Sequence, residues 1–486
     1  MSVAKRVRPL RALPFPRLPF RRPSFRGRPS RALPGQPLPG QPLPVQPLPV
    51  QPLPGQPSVT DADPAHPEAA AEPGSPLARG LLGVTVAGWL GNALSYLLLL
   101  AAARRLGTAD YAELVTLLNL LLIGSVPSFA LQAVAARRVA TGSADGLLEA
   151  GAVIGLAAAL LIAALSPALV AFLHLPGLTG PLLVALSMPG TAVQGLCQGV
   201  WQGEQRLTGL AVATFVGTAG RSGAGLIGLL AGGTSTWAVA ALAVGVSVPA
   251  AGCVLALPEL RRDGRHALLS LVAEAGHASH AYGVFLLLSV SDVLLARHVL
   301  STSAAAVYAA GSVLTKASLW FPQSVANVLF ASLTDEDRHH RVFARAAAGL
   351  AALGLVVVTG TWLLSALVTE VVGGGRYPQL RGDAWLFALL GCCLAVLQFT
   401  LVAGLAVRSL AVTVLIWATV AGEAVLALNL GPHPSVRLVI GLMAGLNLLT
   451  ATAGVLLRLA PGYRRGRRGP GRQPAAAAQL DSATGH

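Results

Sequence analysis

Four ionisable residues, Arg221, Lys316, Asp292 and Glu423, stand inside long apolar stretches of this 486-residue chain. A charge at that depth in a membrane helix costs about 2.5–3.5 kcal/mol on insertion scales, and it usually faces a cavity, a partner or a path. A guanidinium holds two oxygens of an anion at once, whereas an ammonium acts as a compact charge on a flexible stem. Asp292 and Glu423 are candidates for exchanging a proton or coordinating sodium; the plainer alternative is that they neutralise Lys316 or Arg221. Amides accompany these charges. Gln194, Gln198 and Gln202 recur every four residues and so share one helix face. Such a stripe, with Asn119, either bonds hydroxyl groups in a cavity or ties neighbouring helices together, an interaction worth about 0.6 kcal/mol on average. No constellation points to catalysis. Cys197, Cys253, Cys392 and Cys393 all fall in apolar segments as small packing residues, and no Cys/His spacing suggests a metal site.

The elements that must position these side chains are membrane helices. A hydrocarbon core of about 30 Å takes roughly 20 apolar residues in helical form, and only helices or closed barrels satisfy their backbone there. The apolar runs are too long and continuous for barrel strands. Twelve spans are expected, at 80–102, 112–134, 147–173, 178–200, 207–231, 236–257, 280–300, 304–330, 342–369, 383–407, 409–430 and 436–459. With a mean hydropathy of +0.65 and 11% charged residues, little chain remains for a soluble catalytic head. The expected architecture is an all-α polytopic membrane protein with two six-helix bundles, 79–257 and 280–460, related by a pseudo-two-fold axis along the membrane normal. A polar connection at 258–279 joins them, with Leu268, Leu269, Leu271 and Val272 forming a short amphipathic helix. A weak echo supports two halves: Arg104, Tyr111 and Pro127 in the first recur as Arg297, Tyr308 and Pro322 in the second.

The formal net charge is +15, and the two tails carry +10 of it. With the N-terminus inside, 27 Lys/Arg fall on the cytoplasmic side against six on the other, as the positive-inside rule requires. Both termini are therefore expected in the cytoplasm. Residues 1–78 are basic, Pro-rich and include a GQPLP/VQPLP repeat at 35–57, a composition that favours disorder. That segment reads as a spacer or a proline-rich ligand, or as a dispensable extension or mis-assigned start. Residues 461–486 form a second disordered basic tail. Such tails suit anionic membrane lipids and show no module for reading nucleic acid.

The stretch from Arg104, RRLGTADYAELVTLLNLLLIGSVPSFALQAVAARRVA, resembles the signature of polysaccharide flippases within the multidrug, oligosaccharidyl-lipid and polysaccharide exporter superfamily. Arg105, Leu106, Gly107, Asp110 and Tyr111 stand where that family has Arg, Leu-Gly, an acid and Tyr; Ala112 replaces the usual following glycine. The second-half stretch containing Asp292 and Tyr308 is similar to the family too. The resemblance covers about 79–460 and implies translocation of an undecaprenyl-diphosphate-linked glycan across the bacterial cytoplasmic membrane by alternating access, beside glycan polymerases or glycosyltransferases. It implies no cofactor beyond a proton or sodium gradient, in keeping with the lack of a Walker-type phosphate loop. In such a protein Arg221 and Lys316 would hold phosphate and Gln194, Gln198 and Asn119 would line the cavity. Asp292 and Glu423 would couple an ion or pair a charge, and Arg104, Arg105 and Arg297 would form a cationic path, or interfacial anchors, at the outer face. The alternative is a cation-coupled exporter of drugs or small molecules. The absence of a carboxylate from the first span, which has Asn92 instead, weighs against it. The peptidoglycan-precursor branch usually has two further spans, and the first outer loop is too short for a glycosyltransferase site.

Overall fold

The computed structural model describes residues 76–143, 145–257, 268–330, 339–406, 411–431 and 434–459. Residues 1–75 and 461–486 of the expected tails, and 258–267 of the connection, lie outside the described residues, as does the side chain of Pro322. All regular structure among the described residues is helical. In chain order the helices are α1 (Pro76–Arg105), α2 (Thr108–Gly124), α3 (Val126–Ala140), α4 (Leu147–Leu173), α5 (Thr179–Gly203), α6 (Leu207–Gly232) and α7 (Ser235–Ala256). They continue as α8 (Leu268–Val299), α9 (Thr302–Phe330), α10 (His339–Leu363), α11 (Ser365–Gly373), a 3-10 turn at Pro378–Gly382, α12 (Ala384–Ala406), α13 (Ala411–Leu428) and α14 (Val436–Leu459).

Ten of these spans, with α2 and α3 counted together, are long and apolar enough to cross a membrane, and the bent α8 adds an eleventh. The remaining expected span is α9, which is 29 residues long. It is the polar one, with Thr302, Ser303, Tyr308, Ser312, Thr315, Lys316 and Ser318 along its length. Its neighbours explain why lipid tolerates it: α2, α8, α10 and α12 all pack against it.

The two lobes repeat one pattern of packing. In the first lobe α5 lies against α3, α4 and α7, and α1 lies against α6. In the second, α12 lies against α9, α10 and α14, and α8 lies against α13. Between lobes, α2 meets α8 and α9, while α3 and α4 meet α8. The second span breaks at Ser125, where Pro127 enters the first turn of α3 and removes a donor. The second lobe begins earlier than expected: α8 starts at Leu268 rather than near 280. Its first part, Leu268–His280, bends by 50° from Gly283–Val299. Leu271 explains the early start, since it packs in a cluster with Val134, Ala135 and Leu147 of the first lobe.

Missing side chains let the helices approach. Gly195, Gly199 and Gly203 form one face of α5, and a Cβ on Gly199 would lie 2.4 Å from the Gln132 carbonyl oxygen of α3. The equivalent contact in the second lobe is Gly391 of α12, whose Cβ would lie 2.3 Å from the Thr315 carbonyl of α9. Small residues permit such backbone contact in membranes, where apolar transfer supplies no drive between helices. Gly199→Leu should push α3 off α5 and cost about 1–3 kcal/mol or more. A lowered unfolding midpoint in detergent checks this; an unchanged midpoint would show that the helices do not meet so closely.

Candidate functional site

Arg221 and Lys316, one from each lobe, line a single cavity of about 180 Å³. Each stands near the middle of its helix: Arg221 in the 26-residue α6 and Lys316 in the 29-residue α9. The wall is completed by Asn92, Ser95 and Tyr96 of α1, Asn119 of α2, Ser222 of α6 and Ser312 of α9, with leucines and valines between them. Among the described residues no carboxylate contributes to it. Among the described residues Arg221 makes no hydrogen bond or ion pair within the protein. Lys316 gives its ammonium to the Ser289 backbone carbonyl of α8. Asn119 spends its amide N–H on Val115 O at 2.8 Å. Ser95 and Ser222 share a hydroxyl–hydroxyl bond of 2.7 Å that ties α1 to α6 beside Arg221. A groove of about 540 Å³ between α1, α9 and α10 shares Asn92 and Tyr96 with the cavity. Trp89, Ala93, Leu314, Ala317 and Ser318 also line that groove.

The acids lie apart from the cavity wall, inside the second lobe. Glu423 of α13 is fully buried. It accepts from the Ser291 hydroxyl and from Asn447 Nδ2 of α14, the latter at 2.6 Å. Asp292 of α8 is 1% exposed, accepts the Tyr308 hydroxyl of α9 at 3.3 Å on Oδ2, and has no partner on Oδ1. Ser291, which binds Glu423, adjoins Asp292 in α8, so the two acids lie close together. Among the described residues no acid forms a direct ion pair with Lys316 or Arg221.

The glutamine stripe does not reach the cavity. Gln194 donates to Ala213 O of α6 at 2.8 Å, Gln202 accepts from Gln132 of α3 at 3.2 Å, and Gln198 is not part of the cavity wall. The adjoining glycines explain this, since they press α5 onto α3 and turn the amides towards helix junctions.

Arg104 and Arg297 both bind helix-end carbonyls across the lobes, and Arg104 remains exposed. Arg104, at the end of α1, donates to Glu370 O at 3.3 Å and Val371 O at 2.9 Å at the end of α11. Arg376 reaches back to Ala103, Arg104 and Leu106 carbonyls at 3.3, 2.9 and 2.8 Å. Arg297, at the end of α8, donates to Leu173 O and His174 O at 3.0 and 3.1 Å, at the end of α4. Helix ends leave carbonyls without intrahelical donors and carry partial negative charge, so a guanidinium there satisfies both. His174 exposes its carbonyl by adopting φ 50° and ψ 47°, in the left-handed region. The fold thus uses the same device twice: a basic residue ending the first helix of each half caps the third span of the other. Arg105 stays exposed on that face.

The opposite face has its own tie. Arg137 and Arg138 of α3 both bind Glu274 of α8, at 2.8 and 2.9 Å, and Arg138 also reaches Ser270 at 3.0 Å. Hydrogen bonds from the two guanidinia, Arg138's first, hold the Glu274 carboxyl below its ordinary value of 4.5. A depressed carboxylate pKa adds stability that is complete above the ordinary value and lost as pH falls through the lowered one. The tie is therefore intact at neutral pH.

Several site residues escaped the sequence. Asn92, Ser95 and Tyr96 fall at i, i+3 and i+4 on α1, and Ser312 precedes Lys316 by four residues, so each set shares a face. That spacing was the available signal. Glu113 of α2 also went unmarked; it is buried and accepts the Ser235 hydroxyl at 2.8 Å at the start of α7.

This is the two-lobed helical fold of known membrane transporters. An inward-facing multidrug resistance MATE family transporter of the MOP superfamily superimposes with a TM-score of 0.58 at 12% identity, covering 78% of this chain and 97% of that one. The lipid II flippase MurJ, in an inward closed conformation, gives 0.65 at 9% identity, covering 77% and 86%. A eukaryotic MATE transporter gives 0.55 at 10% identity, covering 78% and 96%. No protein-family model and no curated sequence matches the chain.

Removing the reciprocal cap should loosen the lobes. In Arg376→Ala, spin labels on Thr108→Cys and Ser303→Cys should show a longer and broader distance distribution than in the parent. An unchanged narrow distribution would mean that apolar packing alone holds this face.

Proposed function

We propose that the chain moves an anionic, lipid-linked glycan across the bacterial cytoplasmic membrane by alternating access, with the face bearing Arg104 and Arg297 outermost. One observation carries the reading: two cations from different lobes share a mid-helix cavity whose wall holds no carboxylate. A buried charge without a counter-charge is costly, and an incoming diphosphate supplies one to both groups. Arg221 suits bidentate binding of phosphate oxygens, and Lys316 adds a mobile point charge. The groove between α1, α9 and α10 is an exit for the lipid tail that keeps the polar head beside Asn92 and Tyr96. Parting of the lobes, through release of the clasps at one face or the other, makes room for the glycan. Asp292 and Glu423 are the groups proposed to exchange a proton or bind sodium during the cycle. Glycan polymerases or glycosyltransferases are the proposed partners, and anionic lipids those of the basic tails.

A cation-coupled exporter of small molecules is the second reading, favoured by the likeness in fold to a multidrug resistance MATE family transporter. The wall chemistry supports the first reading, because a cavity bearing two cations repels an organic cation and attracts an anion.

Deletion of the gene should leave lipid-linked sugars accumulating on the cytoplasmic leaflet, and the parent gene should clear them. An Arg221→Ala/Lys316→Ala double variant should reach the membrane yet fail to clear them. Full clearance by the double variant would refute the reading, as would altered drug susceptibility with normal glycan export.

A further inference from the structure

Lys316 belongs to two sites at once. Its side chain forms part of the cavity wall, yet its ammonium rests on the Ser289 carbonyl of α8. Helix carbonyls point along the axis towards the C-terminus and side chains lean back towards the N-terminus. The Ser289 carbonyl therefore faces the turn that carries Asp292. No ion pair within 4 Å joins Lys316 to Asp292. Asp292 Oδ1 is buried and lacks a partner, and the Tyr308 contact on Oδ2 is long at 3.3 Å. Glu423, by contrast, has short bonds to Ser291 and Asn447. Charged or titratable groups reach this pocket from α8 (Asp292), α9 (Tyr308 and Lys316) and α13 (Glu423), with Asn447 the polar group from α14. Lys316 is the cation that lies against this group, through the Ser289 carbonyl one turn before Asp292.

An ammonium cannot remain beside Asp292 and also hold the phosphate of a cargo. If it swings into the cavity, Asp292 and Glu423 become neighbouring carboxylates with no compensating charge, in a medium where charges act strongly. A proton or a monovalent cation entering between them restores neutrality. Resting on the reading of the cavity as an anion site, we infer that Lys316 couples the two sites positively: anionic cargo and a small cation load together, the cation at Asp292 and Glu423. This sign is opposite to exchange, in which the ion would displace the cargo. Linkage makes it reciprocal, so the ion tightens the cargo by the factor by which the cargo tightens the ion.

Farnesyl diphosphate is a suitable probe, titrated calorimetrically into the purified full-length protein in lipid nanodiscs at constant ionic strength. The variables are pH and replacement of sodium by choline. The parent should bind it on the order of tenfold more tightly where the coupling ion is available. Asp292→Asn is nearly isosteric and should bind in the ion-poor buffer as tightly as the parent does with the ion. Its affinity should ignore sodium, and any pH dependence left in it reports the ligand's own titration. Lys316→Gln should bind more weakly and lose the ion response. Equal parent affinity in all buffers overturns the inference and leaves the anion site standing, as does weaker binding when the ion is present. Failure of the parent to bind the diphosphate under any condition overturns the anion site itself.

Discussion

Two positive side chains share a cavity deep in an apolar bundle, with no acid on its wall. That arrangement is unfavourable by itself, and much of the molecule serves to make it tolerable. Lys316 rides on α9, the most polar of the spans, and α9 is shielded by α2, α8, α10 and α12. Arg221 projects from α6, which is anchored to α1 by the Ser95–Ser222 bond. The Lys316 ammonium rests on a backbone carbonyl, that of Ser289, and forms no ion pair among the described residues. The result is a cavity poised for a negative group, not a closed ion pair. A direct Arg–carboxylate pair would have been ordinary structural chemistry and would have left nothing for a ligand.

The surrounding scaffold separates rigidity from motion. Within each lobe, glycines bring backbones into contact, as at Gly199 on Gln132 and Gly391 on Thr315. Such contacts leave little freedom for slippage. Between lobes, α2 packs on α8 and α9, and charged clasps close the two faces. Arg104, Arg376 and Arg297 bind carbonyls at one face, and Glu274 holds two arginines at the other. Polar clasps near water are exchangeable, because water can replace each hydrogen bond as it breaks. Two rigid lobes joined by exchangeable ties are the mechanical requirement for opening towards one side at a time.

Much of the fold was legible because the membrane imposes one rule on every span: satisfy the backbone and face lipid with apolar side chains. That rule located the helical spans, of which ten or eleven among the described residues are long and apolar enough to cross a membrane. It also marked Arg221 and Lys316, since a charge in such a run stands out. For the glutamine stripe, helix periodicity says which residues share a face, not what that face meets, so cavity lining and bonding between helices both stayed open. Gln194 meets the backbone of α6, and only the packing of α5 on α3 decides that. Likewise the sequence put Arg104 and Arg297 near a membrane surface but could not show the carbonyls they cap, which belong to helices hundreds of residues away along the chain. The helix from Leu268 was legible from its leucines, but its continuity with the next span and the first-lobe cluster that holds Leu271 were not.

The most direct measurement is an electron cryomicroscopy map of the full-length protein in nanodiscs with a prenyl diphosphate present. Density for the diphosphate should bridge Arg221 and Lys316, with the ammonium drawn away from the Ser289 carbonyl and the prenyl chain leaving beside Trp89 between α1 and α9. A map in which the diphosphate avoids the cavity while the Arg221 and Lys316 side chains turn to protein acceptors would contradict the account.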